Sequence, residues 1–345
     1  MVGEADRCIK CGSCMRACPV VSKVGEGVFP GPRSLAVDGP RGRRNAIRAS
    51  DELLKCSMCH ACASACPMKI EIPSAILRLR ETGFDENALR PGHARMVHNI
   101  DQHRSSVEPV AYSSLPSDPA SELCFFPGCI GRYRLPDIAS AAIGILHGFG
   151  TSASCPNELV CCGSPLEKIG DKARQLRLQE QNLSILERYD RIVTSCPGCT
   201  GQLAEGYGLD AMHLVEHLFE DVGLSKISHA ARHRDVKVAV HHPCHLNRLV
   251  GPHTKEYTIQ LLQAIPGVKL VDYDAQEDCC GAGGSLLSGY PDIADVIGSD
   301  KASSAAAAGA DMIVAACPFC VINLGRSGTM PTQDLGQFLF ASLKR

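Results

Sequence analysis

A chain of 345 residues that is 45% hydrophobic is long enough to bury two or three cores, so its 20 cysteines are not there to staple a domain too small to fold. A formal net charge of -2 excludes a broad nucleic-acid footprint and a polybasic membrane anchor. The opening "MVGEADRCIKCGSC" holds no apolar run of the kind that makes a secretory leader. The longest apolar stretch, "IASAAIGILHGFG", contains Ser140 and His147 and is too short to span a bilayer, so a buried helix is expected there. These features predict a cytoplasmic protein with no direct membrane span, peripheral to a membrane only through a partner. In that reducing compartment many thiols point to metal.

The first predicted elements are two cysteine runs, "CIKCGSCMRACP" (Cys8, Cys11, Cys14, Cys18) and "CSMCHACASACP" (Cys56, Cys59, Cys62, Cys66). Both read C-x2-C-x2-C-x3-C-P, the spacing of bacterial ferredoxins, in which three thiolates wrap one cube and the fourth reaches the neighbouring one. Cys8, Cys11, Cys14 and Cys66 are therefore predicted to hold one [4Fe-4S] cubane cluster, and Cys56, Cys59, Cys62 and Cys18 the other. Zinc needs four sulfurs per site and gives no reason for the third cysteine and trailing proline of each run. His60 is either a hydrogen-bonding neighbour of the second cluster or simply a loop residue. Between the runs, "RGRRNAIR" places Arg41, Arg43, Arg44 and Arg48 on a solvated face or on a docking surface for an acidic partner or a cluster. The stretch "IEIPSAILRLRETG" is expected to be helical, and the Ser/Pro-rich residues 104–121 read as a linker.

Beyond residue 121 the chain repeats itself. "FFPGC" (Cys129), "CCG" (Cys161, Cys162) and "SCPGC" (Cys196, Cys199) are followed, about 120 residues later, by "HHPCH" (Cys244), "CCG" (Cys279, Cys280) and "ACPFC" (Cys317, Cys320). A period of that length implies duplicated domains. "RIVTSCPGC", "VKVAVHHPC" and "DMIVAACPFC" each read as a buried strand that ends at a thiol, and "KARQLRLQEQNLSILERY" and "IADVIGSDKASSAAAAGA" read as helices. Such alternation predicts parallel α/β units with sites at the carboxyl ends of the strands. The glycines after each pair, Gly163 and Gly281, are expected where the backbone approaches a bulky inorganic core, and "GAGG" at 281–284 is assigned to the same packing in preference to a nucleotide site.

This duplicated C…CCG…CPxC pattern resembles the cysteine-rich CCG domain found in the B-type polypeptide of heterodisulfide reductase. The ferredoxin runs in front resemble the C-type polypeptide of the same enzyme, so over nearly its full length the chain looks like the D-type arrangement, in which the two are fused. It is also similar to the iron-sulfur subunits of anaerobic glycerol-3-phosphate dehydrogenase, glycolate oxidase, lactate oxidation complexes and thiol:fumarate reductase, especially in "FPGPRSLAVDGPR". The last of these carries an extra N-terminal [2Fe-2S] domain, for which the residues before Cys8 leave no room.

The resemblance implies an α/β protein with an N-terminal α-helical ferredoxin-like domain (1–103), the linker, and two CCG domains (122–232 and 233–345). It further implies two non-cubane [4Fe-4S] clusters, one on Cys129, Cys161, Cys162, Cys196 and Cys199, the other on Cys244, Cys279, Cys280, Cys317 and Cys320. The activity it implies is an iron-sulfur redox subunit passing electrons through the cubanes to the non-cubane pair, which reduce a disulfide such as the coenzyme M-coenzyme B heterodisulfide. The alternative is an electron relay in a flavin-dependent anaerobic dehydrogenase acting on glycerol-3-phosphate, glycolate, lactate or succinate/fumarate. Expected partners are other redox subunits: a flavoprotein, a hydrogenase, or a membrane cytochrome or quinone-type subunit.

Candidate proton donors flank the thiols: His242 and His245 around Cys244, and Glu167 and Lys168 after the first pair. His213 and His217, four apart on an expected helix, lack a third ligand and are taken as core or surface residues. Of the two cysteines left over, Cys124 is expected to be a small buried hydrophobe and Cys155 a spare thiol on a loop, the more accessible of the two.

Overall fold

The computed structural model describes residues 6–38, 51–111, 115–118, 120–274 and 276–344. The arginines at 41, 43, 44 and 48 lie outside the described residues. The first cysteine runs form tight loops capped by single helical turns, Ser13–Arg16 and Ala61–Ser64, and are backed by the longer helices Ile72–Thr82 and Pro91–His103. Helix Ile72–Thr82 buries Ile72, Ile76, Leu79 and Arg80, a stripe spaced by three and four residues.

Two parallel sheets follow, as the alternation of β-branched and helical stretches predicts. The first has strands β1 (Leu123–Phe125), β2 (Arg191–Thr194) and β3 (Ala211–His213) in the order β1-β2-β3. The second has β4 (Val236–His241), β5 (Val268–Val271), β6 (Met312–Ala315) and β7 (Thr332–Asp334) in the order β5-β4-β6-β7. Crossover helices include Lys172–Leu186 and Pro291–Ala307, the two expected from their patterns. The apolar stretch near residue 140 is the buried helix Pro136–Gly148.

The two repeats share one core, in which Phe125, Leu146 and Val193 of the first pack with Val240, Leu261 and Phe338 of the second. Beside this core the helix Pro136–Gly148 approaches the last helix closely at Gly144, where a Cβ would lie 2.6 Å from the Phe340 ring. The ferredoxin-like segment in turn shares a core with the second repeat, Phe29, Met58 and Ile76 packing with Leu286, Tyr290 and Ile293. This arrangement carries the second cysteine run to the thiols of the second repeat.

Candidate metal centres

The two ferredoxin-type runs adopt the same loop. Lys10 and Gly12 in the first, Met58 and His60 in the second, take left-handed backbone conformations at equivalent places, with φ of 57, 77, 54 and 62°. Each left-handed residue turns the chain around the sulfurs and points amide groups inward. His60 therefore occupies a position where the first run has glycine, and burial lowers its pKa to about 4. Cys8, Cys11, Cys14 and Cys66 line one small cavity with Arg33 beside it. Cys18 lies among Cys56, Cys59 and Cys62, and burial pushes its thiol up to about 12. Cys66 thus lies with the first run's three leading thiols, and Cys18 with those of the second.

In the repeats, strand ends deliver the thiols. Cys196 follows β2 and caps helix Pro197–Gly201, and Cys317 follows β6 and caps helix Pro318–Gly325. Cys129 sits in helix Gly128–Tyr133, after β1, and Cys244 follows β4. The thiols then interact neighbour to neighbour in the series Cys129, Cys161, Cys162, Cys199 and Cys196. The second repeat gives the same series, Cys244, Cys279, Cys280, Cys320 and Cys317, with 3.2 Å between the Sγ atoms of Cys280 and Cys320. Both sets border a single cavity of about 140 Å³ between the repeats, lined mainly by apolar atoms and glycine, with Lys168 and His245 among its polar groups.

These donor sets fit iron-sulfur clusters. Nine of the ten repeat thiols are buried, and contact with the next thiol (Cys161, Cys279), together with burial, raises Cys129 and Cys244 well above the ordinary thiol range. Protons on all of them would leave many buried S–H groups with only one another as partners, whereas bound iron deprotonates them and supplies the balancing charge. Main-chain amides already point at the sulfurs. Gly163 and Ser164 donate to Cys161 and Cys162, and Gly281 and Ala282 donate to Cys279 and Cys280.

The glycine rationale needs correction. Gly163 and Gly281 have φ of 83 and 89°, and their missing side chains face Gln175 and Ala294 on the neighbouring helices rather than an inorganic core. Gly283 and Gly284 face elsewhere again, since a Cβ on them would lie 2.7 Å from the Ser57 carbonyl and 2.5 Å from that of Cys56. "GAGG" is thus the seat for the second ferredoxin-type loop. The first repeat has Pro165 and Leu166 at those places, so only the second repeat receives the loop. Cys59 packs beside Cys279 and Cys244 there, His245 Nε2 sits 3.0 Å from the Met58 carbonyl, and Arg248 donates to the Cys59 carbonyl at 2.9 Å.

The proton-donor candidates separate. His245 borders the cavity but spends a ring nitrogen on Met58, and burial lowers its pKa to about 3. His242 is buried, lies outside that lining, and is lowered to about 4. Lys168 lines the cavity and pairs with Glu167 at 2.7 Å. His213 is no partner of His217 on a helical face, because it ends β3 and caps the next turn by accepting from the Val215 N–H. Cys155 is buried rather than accessible, with Arg132 donating to its sulfur at 3.6 Å.

Sequence reasoning passed over four residues. Ser106, inside the expected linker, donates to Cys129 at 3.1 Å. Arg80 donates to the carbonyls of Leu53, Cys56, Lys168 and Gly284, and its place on an apolar stripe was the available signal. His241 and Lys301, buried beside the second repeat's thiols, complete the group.

Such a pairing of a ferredoxin-like helical segment with duplicated five-thiol α/β units defines an iron-sulfur oxidoreductase subunit. Residues 4–70 match the 4Fe-4S dicluster domain family, and residues 123–204 and 238–325 match the cysteine-rich CCG domain family. The chain is 32% identical to the B-type polypeptide of fumarate reductase (CoM/CoB) from Methanothermobacter marburgensis, over 92% of its own length and 67% of the relative's. It is 26% identical to the D-type polypeptide of the dihydromethanophenazine:CoB–CoM heterodisulfide reductase of Methanosarcina barkeri, over 93% and 88% of the two chains. With the B-type polypeptide of the ferredoxin:CoB-CoM heterodisulfide reductase of Methanosarcina mazei it shares 30% identity over 63% and 83%. A crystal structure of a hypothetical protein from Helicobacter pylori shares the fold, with TM-score 0.62 at 10% identity over 96% and 71% of the two chains. The chain belongs to the CCG-domain iron-sulfur family that includes the heterodisulfide reductase subunits. None of its described helices is long and apolar enough to cross a membrane.

Proposed function

We propose that this chain is the electron-delivering and disulfide-reducing subunit of a reductase complex, organised as residues 1–103, 122–232 and 233–345 about the connecting segment 104–121. Cys8, Cys11, Cys14 and Cys66 hold one cubane, and Cys56, Cys59, Cys62 and Cys18 the other. Cys129, Cys161, Cys162, Cys196 and Cys199, and Cys244, Cys279, Cys280, Cys317 and Cys320, hold two non-cubane clusters. When bound, such clusters supply one-electron transfer at iron.

The observation that carries this reading is the cavity bordered by both five-thiol sets. Cleaving a disulfide consumes two electrons and two protons and releases two thiols, so a cavity with a donor on each wall suits it better than any single site. Its apolar lining excludes water from the S–S bond, and Lys168, paired with Glu167, supplies a cation and a proton-bearing group at the rim. Cys59 and Cys279 set the order of delivery: current from the ferredoxin-like segment reaches the second repeat first.

A second reading is an electron relay beside a flavoprotein, favoured by the resemblance to a fumarate reductase polypeptide. One anaerobic preparation decides. Disulfide reduction supports the proposal when the chain holds about sixteen irons and cleaves a coenzyme M-coenzyme B-type heterodisulfide with reduced viologen as donor. About eight irons would overturn it. A full complement without cleavage, but with cluster reduction through a co-purified flavin subunit, would install the relay in its place.

A further inference from the structure

The duplicated sites match in their thiols and differ in what stands behind them. Strand register aligns the repeats: β1 pairs with β2 through Phe125 and Val193, β4 with β6 through Val240 and Val314. The next residue along is Phe126 in the first repeat and His241 in the second, each three residues before its cysteine. Phe126 belongs to the buried apolar cluster that also contains Cys162, Cys196 and Cys199. The ring of His241 is fully buried, and a ring nitrogen shares a 4.8 Å neighbourhood with the Sγ atoms of Cys280 and Cys320. Neither ring nitrogen completes a hydrogen bond with the protein. The nearby Gln276 carbonyl already accepts from the His242 N–H at 3.2 Å.

The crossover helices repeat the contrast. Gln175 and Ala294 lie at equivalent places, under Gly163 and Gly281, and seven residues further on come Asn182 and Lys301. Asn182 is neutral and holds the Cys161 carbonyl at 3.1 Å. Lys301 is buried, with its ammonium 5.8 Å from the Tyr273 ring, and its charge acts on Cys279, Cys280 and Cys320. Asp278, close by and exposed, offsets part of that charge.

We propose that His241 donates an N–H hydrogen bond to sulfur at the second five-thiol site and, together with Lys301, makes the cluster held there easier to reduce than its duplicate. Donors to sulfur and buried positive charge both stabilise the reduced, more negative state of a thiolate-bound cluster. This rests on the cluster assignment proposed above. Since the second site is also the one docked to Cys59, an electron leaving the ferredoxin-like segment settles there before any crosses the cavity.

The test is an anoxic redox titration of the full chain followed by EPR, with the second-site signal identified by its loss in a Cys279→Ala/Cys280→Ala variant. His241→Phe, which installs the first repeat's residue, is expected to lower the reduced-to-oxidised ratio of that centre about tenfold at fixed poise, a shift of about 59 mV for a one-electron couple. His241→Gln, which keeps an N–H donor, should restore most of it, and Phe126→His should raise the first-site signal. A second-site signal that His241→Phe leaves unmoved overturns this inference alone, as does a directly bonded nitrogen coupling from His241, which would make it a ligand. Absence of that signal from the unaltered chain overturns the cluster assignment and this inference with it.

Discussion

Arg80 donates through Nη1 to the Gly284 carbonyl at 3.1 Å, joining the helix behind the second cysteine run to the glycine seat of the second repeat. Through its other donors it holds the carbonyls of Leu53 and Cys56 and reaches Lys168 in the first repeat. One buried guanidinium thus ties all three parts of the chain together. Arg80→Met is expected to strand these carbonyls and cost about 3 kcal/mol or more, and Arg80→Lys, lacking the planar fork, should recover only part of it. Thermal unfolding under anoxia measures both.

The glycine seat makes a second expectation. A side chain at Gly284 would meet Cys56 and Ser57 main-chain atoms at 2.5 to 2.8 Å, on a backbone with φ of 63°. Gly284→Val should therefore lift the second cysteine run off the repeat. On the proposed assignment, stopped-flow reduction is expected to show the clusters of the ferredoxin-like segment filling at the normal rate and those of the repeats lagging by tenfold or more. Equal lag times in variant and parent would mean that electrons enter by another route.

Iron counting separates the two repeats. Replacing Cys161 and Cys162 together by alanine should remove about four of sixteen irons, and replacing Cys279 and Cys280 should remove a different four, since each vicinal pair stands at the middle of its own series. Loss of eight irons from either double variant would mean that the two sites do not assemble independently.

Asp334 gives a pH dependence independent of metal. It ends β7, accepts from the Gly336 N–H at 2.8 Å, and is so buried that its carboxyl is pushed up to about 7. In the unfolded chain it titrates near its ordinary value of about 4. Between those limits the folded state binds the extra proton, so this group's contribution to stability falls as pH rises from about 4 to about 7, then levels off. Asp334→Asn keeps a capping acceptor and removes the penalty. It is expected to match the parent near pH 4 and to exceed it by about 4 kcal/mol above pH 7, as read from denaturation midpoints.

Much of the site was legible because metal spacing is local. The ferredoxin-type runs, the crossing of Cys18 and Cys66, and the strands ending at Cys196 and Cys317 all follow from short-range patterns. The relations between distant segments were not. "GAGG" carries no sign that its partner is the carbonyl of Cys56, more than 200 residues away, and Ser106 looks like any polar linker residue. His241 stands out only once strand register sets it opposite Phe126. Arg80 lies between these cases, since counting four residues on from Ile76 places a charge on the buried face without naming its acceptors.

Among the eighteen candidate ligand sulfurs, that of Cys11 alone is exposed, beside Ile9 at 61% exposure. A cluster held there, as proposed, would meet oxygen before anything in the interior. Brief exposure to air should disconnect the protein from its supplier while the inner chemistry survives, so that a small mediator able to bypass the corroded terminal would revive turnover.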